Sequence, residues 1–97
     1  FGVTLGMMAV TFDLKIINEK GLHARASAKF VEVVEGFDAQ AQVSKDGMQV
    51  GGDSIMGLLM LAASKGSTIE VETQGVEADQ LAEALRALVA DRFGEAF

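Results

Sequence analysis

Gly21, Leu22, His23, Ala24 and Arg25 place the chain's only histidine where a strand pattern gives way to a helix pattern. Imidazole is a competent nucleophile near neutral pH when it is unprotonated. Gly21 can take a tight or left-handed turn, and His23 falls at the N-cap position of the helix that follows. A helix start leaves backbone N–H groups without intrahelical partners and carries partial positive charge, so an anion beside His23 would meet ready donors. Arg25 adds a permanently charged fork of donors to the same place. These residue types at this spacing predict an anion site, with a phosphate as the natural occupant.

A second stretch, Gly52-Asp53-Ser54-Ile55-Met56-Gly57-Leu58-Leu59, opens with a capping residue, Asp53 or Ser54, and runs into a short apolar helix. That helix is apolar on more than one side, and so small a core cannot bury every side chain. Ile55, Met56 and Leu59 are therefore expected to face a partner. Each feature has a plainer reading taken alone. A lone histidine is more often a surface or capping residue, Arg25 a solvated helix residue, Ser54 an N-cap and the apolar stripe core. Gly51-Gly52 reads as a turn, because it lacks the lysine of a phosphate-binding P-loop.

The elements that must hold these residues follow from periodicity. Val10, Phe12, Leu14 and Ile16 alternate with Thr11, Asp13 and Lys15, which predicts a half-buried strand over 10–17. A helix follows over about 24–35, with Ala26, Phe30, Val33, Val34 and Phe37 on its apolar side and Gly36 placed to end it. Ala39, Ala41 and Val43 alternate next, and Asp46-Gly47 is a hairpin turn into Met48–Val50. After the Ser54 helix, Ile69, Val71 and Thr73 form a last strand, and Gly75 turns the chain. A final helix over about 77–92 presents Leu81, Leu85, Leu88, Val89 and Phe93 to the core, with Glu77 and Asp79 favouring its dipole. The order βαββαβα predicts an α+β fold, a four-stranded antiparallel sheet with three helices on one face.

Composition bounds the function. Ninety-seven residues, 49% hydrophobic and 23% charged, make one globular domain with no room for a separate catalytic one. A net charge of −6 argues against a nucleic-acid partner, which relies on clustered Lys and Arg. The absence of cysteine excludes disulfides and thiolate chemistry and suits a reducing compartment. Neither a secretory signal nor a membrane span is legible, so a cytoplasmic protein with no membrane partner is expected. Met7 and Met8 suggest a natural start, which would make residues 1–8 an N-terminal extension or cloning remnant and 9–97 the single domain.

The pentapeptide Gly21–Arg25, the Ser54 run and the element order together resemble the HPr family, the histidine-containing phosphocarriers of the bacterial phosphotransferase system. Glu35-Gly36-Phe37-Asp38-Ala39 and Leu58-Leu59-Met60-Leu61 are more similar to its nitrogen-related branch than to the sugar-uptake type. The resemblance implies an open-faced β-sandwich in which His23 accepts a phosphoryl group from enzyme I, charged by phosphoenolpyruvate, and passes it to a IIA-type protein. It implies Nδ1 as the reacting nitrogen, with Ala24 at the helix start and Arg25 stabilising the phosphate. It also implies regulatory phosphorylation of Ser54 by an HPr kinase/phosphorylase, docking through Ile55, Met56 and Leu59, no cofactor or metal, and a monomer. The end use is sugar uptake or nitrogen and metabolic regulation. The family commonly carries proline after the arginine, where Ala26 stands here; alanine is the better helix former, so little should change.

Two other readings compete. One is a regulatory protein-binding module on the same scaffold, with His23 incidental. The other is a small α+β hydrolase of the acylphosphatase type, disfavoured because no matching Arg and Asn constellation is present.

Overall fold

The computed structural model describes residues 9–97, so the expectation about an N-terminal extension over residues 1–8 lies outside the described residues. The chain runs β1 (Ala9–Lys15), α1 (Ala24–Glu35), β2 (Gln40–Lys45), β3 (Met48–Gly51), α2 (Ile55–Met60), β4 (Thr68–Gln74) and α3 (Ala78–Ala90), then a 3-10 turn at Arg92–Gly94. All strand pairings are antiparallel, in the spatial order β1-β4-β2-β3. The late strand β4 is thus inserted between the first strand and the hairpin, pairing Phe12 with Val71 on one side and Val43 with Val71 on the other.

Alternation decides which face of the sheet is covered. Phe12, Leu14, Ala41, Val43, Ile69 and Val71 point into one core, while Thr11, Asp13, Gln42, Glu70 and their neighbours leave the other face polar. The helices close over the apolar face. α1 contributes Ala26, Phe30, Val31 and Val34, α2 contributes Leu58, and α3 contributes Leu81, Ala82, Leu85 and Val89. Val33, Phe37 and Leu88 pack only partly against this core, and Val31 takes a place that the expected stripe did not include. The layer architecture and element order match the expectation from sequence.

Local chemistry explains the joints. Asp46 and Gly47 both have positive φ, 51° and 83°, as a two-residue type I′ hairpin turn requires. Gly36 ends α1 with φ −82° rather than in a left-handed cap; its N–H turns back to the Val33 carbonyl at 3.1 Å. α3 stops at Ala90, two residues short of the expected end, because Arg92 and Phe93 adopt left-handed angles of 55° and 56°. Burial of Phe93, which is 0% exposed, and a 2.7 Å hydrogen bond from Lys29 Nζ to its carbonyl hold that strained turn. The last residues therefore double back toward the start of α1.

Candidate functional site

His23 is the N-cap of α1, with extended backbone angles, and its carbonyl accepts the first helical hydrogen bond from Ser27 at 2.8 Å. Its side chain makes no capping bond. Helix geometry leaves the N–H groups of Ala24, Arg25 and Ala26 without intrahelical acceptors, so donors cluster beside the imidazole as the sequence predicts. Ala24 and Arg25 are exposed, which leaves the guanidinium free to approach an anion from solvent. The ring itself is 28% exposed.

The backbone before His23 is fixed on two sides. Gly21 has φ +69°, and a side chain there would place its first carbon 2.5 Å from the Ala63 carbonyl oxygen. The neighbouring N–H of Leu22 donates to that same carbonyl at 2.9 Å, tying the segment that leaves α2 to the histidine loop. Ser27 Oγ donates to the Leu22 carbonyl at 3.2 Å. Gly21 is thus required for close approach as well as for its left-handed turn.

The tail completes the site. His23, Arg25, Lys20, Glu95 and Phe97 line a surface depression of about 410 Å³. Glu95 Oε2 hydrogen-bonds His23 Nε2, and Glu95 Oε1 accepts from Asn18 Nδ2 at 2.9 Å. The Asn18 hydrogen bond is the main cause holding the Glu95 carboxyl below the usual glutamate range. Burial opposes it, while the His23 hydrogen bond and the charges of His23 and Lys20 reinforce it. An ionised carboxylate can only accept, so Nε2 carries the hydrogen of this bond, and in the neutral form of the ring Nδ1 is the nitrogen with the lone pair.

Ser54 is organised differently. Its Oγ accepts from the Gly57 N–H at 3.0 Å, which resolves the choice between Asp53 and Ser54 as the N-cap of α2. Beyond it Ile55 is 40% and Met56 70% exposed, whereas Leu59 is half-buried. Met60, 63% exposed, extends this apolar face and was not among the residues expected there. The sequence reading also missed Asn18 and Glu95. An amide directly after a strand, where burial demands a partner, and an acidic residue following Phe93-Gly94 were the available signals, but neither predicts contact across 72 residues of separation.

A family model described as the PTS HPr component phosphorylation site matches residues 10–91. The phosphocarrier protein HPr of Cupriavidus necator is 51% identical over 86% of this chain and 93% of its own. The phosphocarrier protein NPr of Escherichia coli is 37% identical over 91% of this chain and 99% of its own. Among solved structures, an HPr from Thermoanaerobacter tengcongensis superposes with a TM-score of 0.86 at 34% identity, covering 91% of this chain and 99% of that one.

Proposed function

The chain belongs to the HPr family of phosphotransferase-system phosphocarriers, and on that premise we propose that His23 is the residue that carries the phosphoryl group. One observation carries the assignment: the single histidine caps a helix without using its ring to do so, and the ring is held through Nε2 so that Nδ1 is the free nucleophile. The Nδ1 lone pair attacks phosphorus as the bond from phosphorus to the donor breaks, and that bond's electron pair leaves with the donor. No proton need move. The positive charge left on the ring is shared through Nε2–H with the Glu95 carboxylate, while the Ala24–Ala26 N–H groups and Arg25 face the phosphoryl oxygens.

The donor in this reading is phospho-enzyme I, replenished from phosphoenolpyruvate, and the acceptor is a IIA-type protein serving sugar uptake or nitrogen and metabolic regulation. Docking uses the face formed by Ile55, Met56 and Leu59, and the exposure of Ile55 and Met56 beside half-buried Leu59 supports contact with a partner. Phosphorylation of Ser54 by an HPr kinase/phosphorylase would add about −1.5 to −2 charges beside that apolar face, weakening the docking. We place the relay in the cytoplasm and the carrier as a monomer; no helix among the described residues is long and apolar enough to cross a membrane. Higher identity to the HPr-named relative than to the NPr-named one, 51% against 37%, weighs against assigning the nitrogen-related branch on two short stretches.

Incubation with enzyme I and labelled phosphoenolpyruvate tests the reading. Label should appear, be acid-labile and vanish in His23→Ala; label retained in that variant would overturn it. The alternative, a protein-binding module with His23 incidental, predicts no label on either protein.

A further inference from the structure

Asn18 is a polar side chain with no exposed surface, placed in the turn just after β1. Its Nδ2 donates both hydrogens, to the Gly21 carbonyl at 2.8 Å and to Glu95 Oε1 at 2.9 Å. The Gly21 N–H returns a bond to the Asn18 carbonyl at 3.2 Å, so residue and loop are tied both ways. Asn18 Oδ1 is buried without a hydrogen-bond partner. Rotating the amide would not relieve it, because the oxygen would then face two acceptors, the Gly21 carbonyl and the Glu95 carboxylate. A buried amide kept in this orientation despite an unsatisfied oxygen is oriented by what its nitrogen holds.

What it holds is the tail. Glu95 reaches His23 from a segment anchored by buried Phe93, by Lys29 and by the bond from the Glu19 N–H to the Phe97 carbonyl at 3.0 Å. Those contacts bring the backbone near, but a glutamate has three rotatable bonds, and the Asn18 amide, by holding one carboxylate oxygen, leaves the other turned to the ring. We propose that Asn18 is a positioning residue for His23: one buried amide, bonded to the loop before the histidine and to the tail carboxylate, keeps Glu95 on Nε2 and thereby Nδ1 free. The inference deepens the phosphocarrier reading and rests on it for its purpose, though not for its test.

The test uses Glu95→Gln. With Asn18 present, the glutamine must turn its amide oxygen to Asn18 Nδ2, so its NH₂ group faces the imidazole and Nε2 must accept. The hydrogen then moves to Nδ1. Nitrogen-15 spectra of the full chain, taken with the pH raised until the ring signals no longer change, should show an Nε2–H tautomer in the natural sequence and an Nδ1–H tautomer in Glu95→Gln. Asn18→Ala added to Glu95→Gln frees the glutamine to rotate and should restore a mixture; Asn18→Ser serves where the alanine variant does not fold. Phosphoryl transfer should slow roughly tenfold in Glu95→Gln, the scale on which hydrogen bonds that orient a reacting group act. An unchanged Nε2–H tautomer in Glu95→Gln, or inversion that persists without Asn18, would overturn the role of Asn18. Label surviving in His23→Ala would instead overturn the carrier assignment and leave the spectra standing.

Discussion

Two helix starts in this molecule look alike in sequence and behave differently in structure. α1 and α2 each follow a glycine-containing break and each begin after a polar residue in extended conformation, His23 and Ser54. Ser54 turns its oxygen onto its own helix at Gly57. His23 is drawn away from its helix by Glu95, so the first-turn donors and the imidazole Nδ1 both remain available. The difference teaches that a residue at a helix start leaves its first-turn donors uncapped when something outside the helix occupies its side chain.

The largest effect that would break this comparison lies at His23. His23→Ala should abolish labelling from phospho-enzyme I while the melting temperature stays close to that of the unmodified chain, because the ring makes no capping bond; a large loss of stability, read by calorimetry, would make His23 a cap like Ser54. Arg25→Ala should slow transfer by about 10- to 100-fold, the scale of one charge-assisted hydrogen bond. Its exposure predicts almost no change in folding, and equal losses in stopped-flow transfer and in stability would count against a phosphate role.

At the other helix the order of effects reverses. Ser54→Ala should lose about 1 kcal/mol of stability, seen as a melting temperature lower by about 4–8 °C, with transfer barely altered. Ser54→Asp keeps an N-cap acceptor but adds a charge beside Ile55 and Met56, so calorimetric titration with enzyme I should show weaker binding at near-normal stability. Unchanged affinity would leave Ser54 a cap and nothing more.

The smallest effect concerns the tail. The Glu95 carboxyl is lowered in the folded protein, so its contribution is present above the ordinary glutamate value of about 4.3 and is lost as pH falls through the lower folded value. A carbon-13 titration of Glu95 should give a midpoint below that ordinary value, and Asn18→Ala should raise it. A midpoint at the ordinary value would mean that the tail does not hold the ring.

How much of this was legible depends on range along the chain. Alternation in Val10–Ile16 and Ile69–Thr73, the Asp46-Gly47 turn and the helical spacing around Phe30 are local signals, and each formed the expected element. The end of α3 was not legible to the residue, because Gly94 marks a break but the left-handed turn at Arg92 and Phe93 before it is held by burial and by Lys29 from α1. Exposure on α2 was legible only as a surplus of apolar residues; packing chose Leu58 to bury and Met60 to expose.

By itself the sequence determined the βαββαβα order, the anion-ready helix start and the placing of the one imidazole beside it, because periodicity, turn chemistry and a single histidine are properties of short stretches. Only the tertiary structure decided what holds the other nitrogen of that imidazole. That hold rests on a carboxylate 72 residues away and on the buried Asn18 amide that orients it, and hydrogen bonds across such separation exist only once the chain has closed on itself.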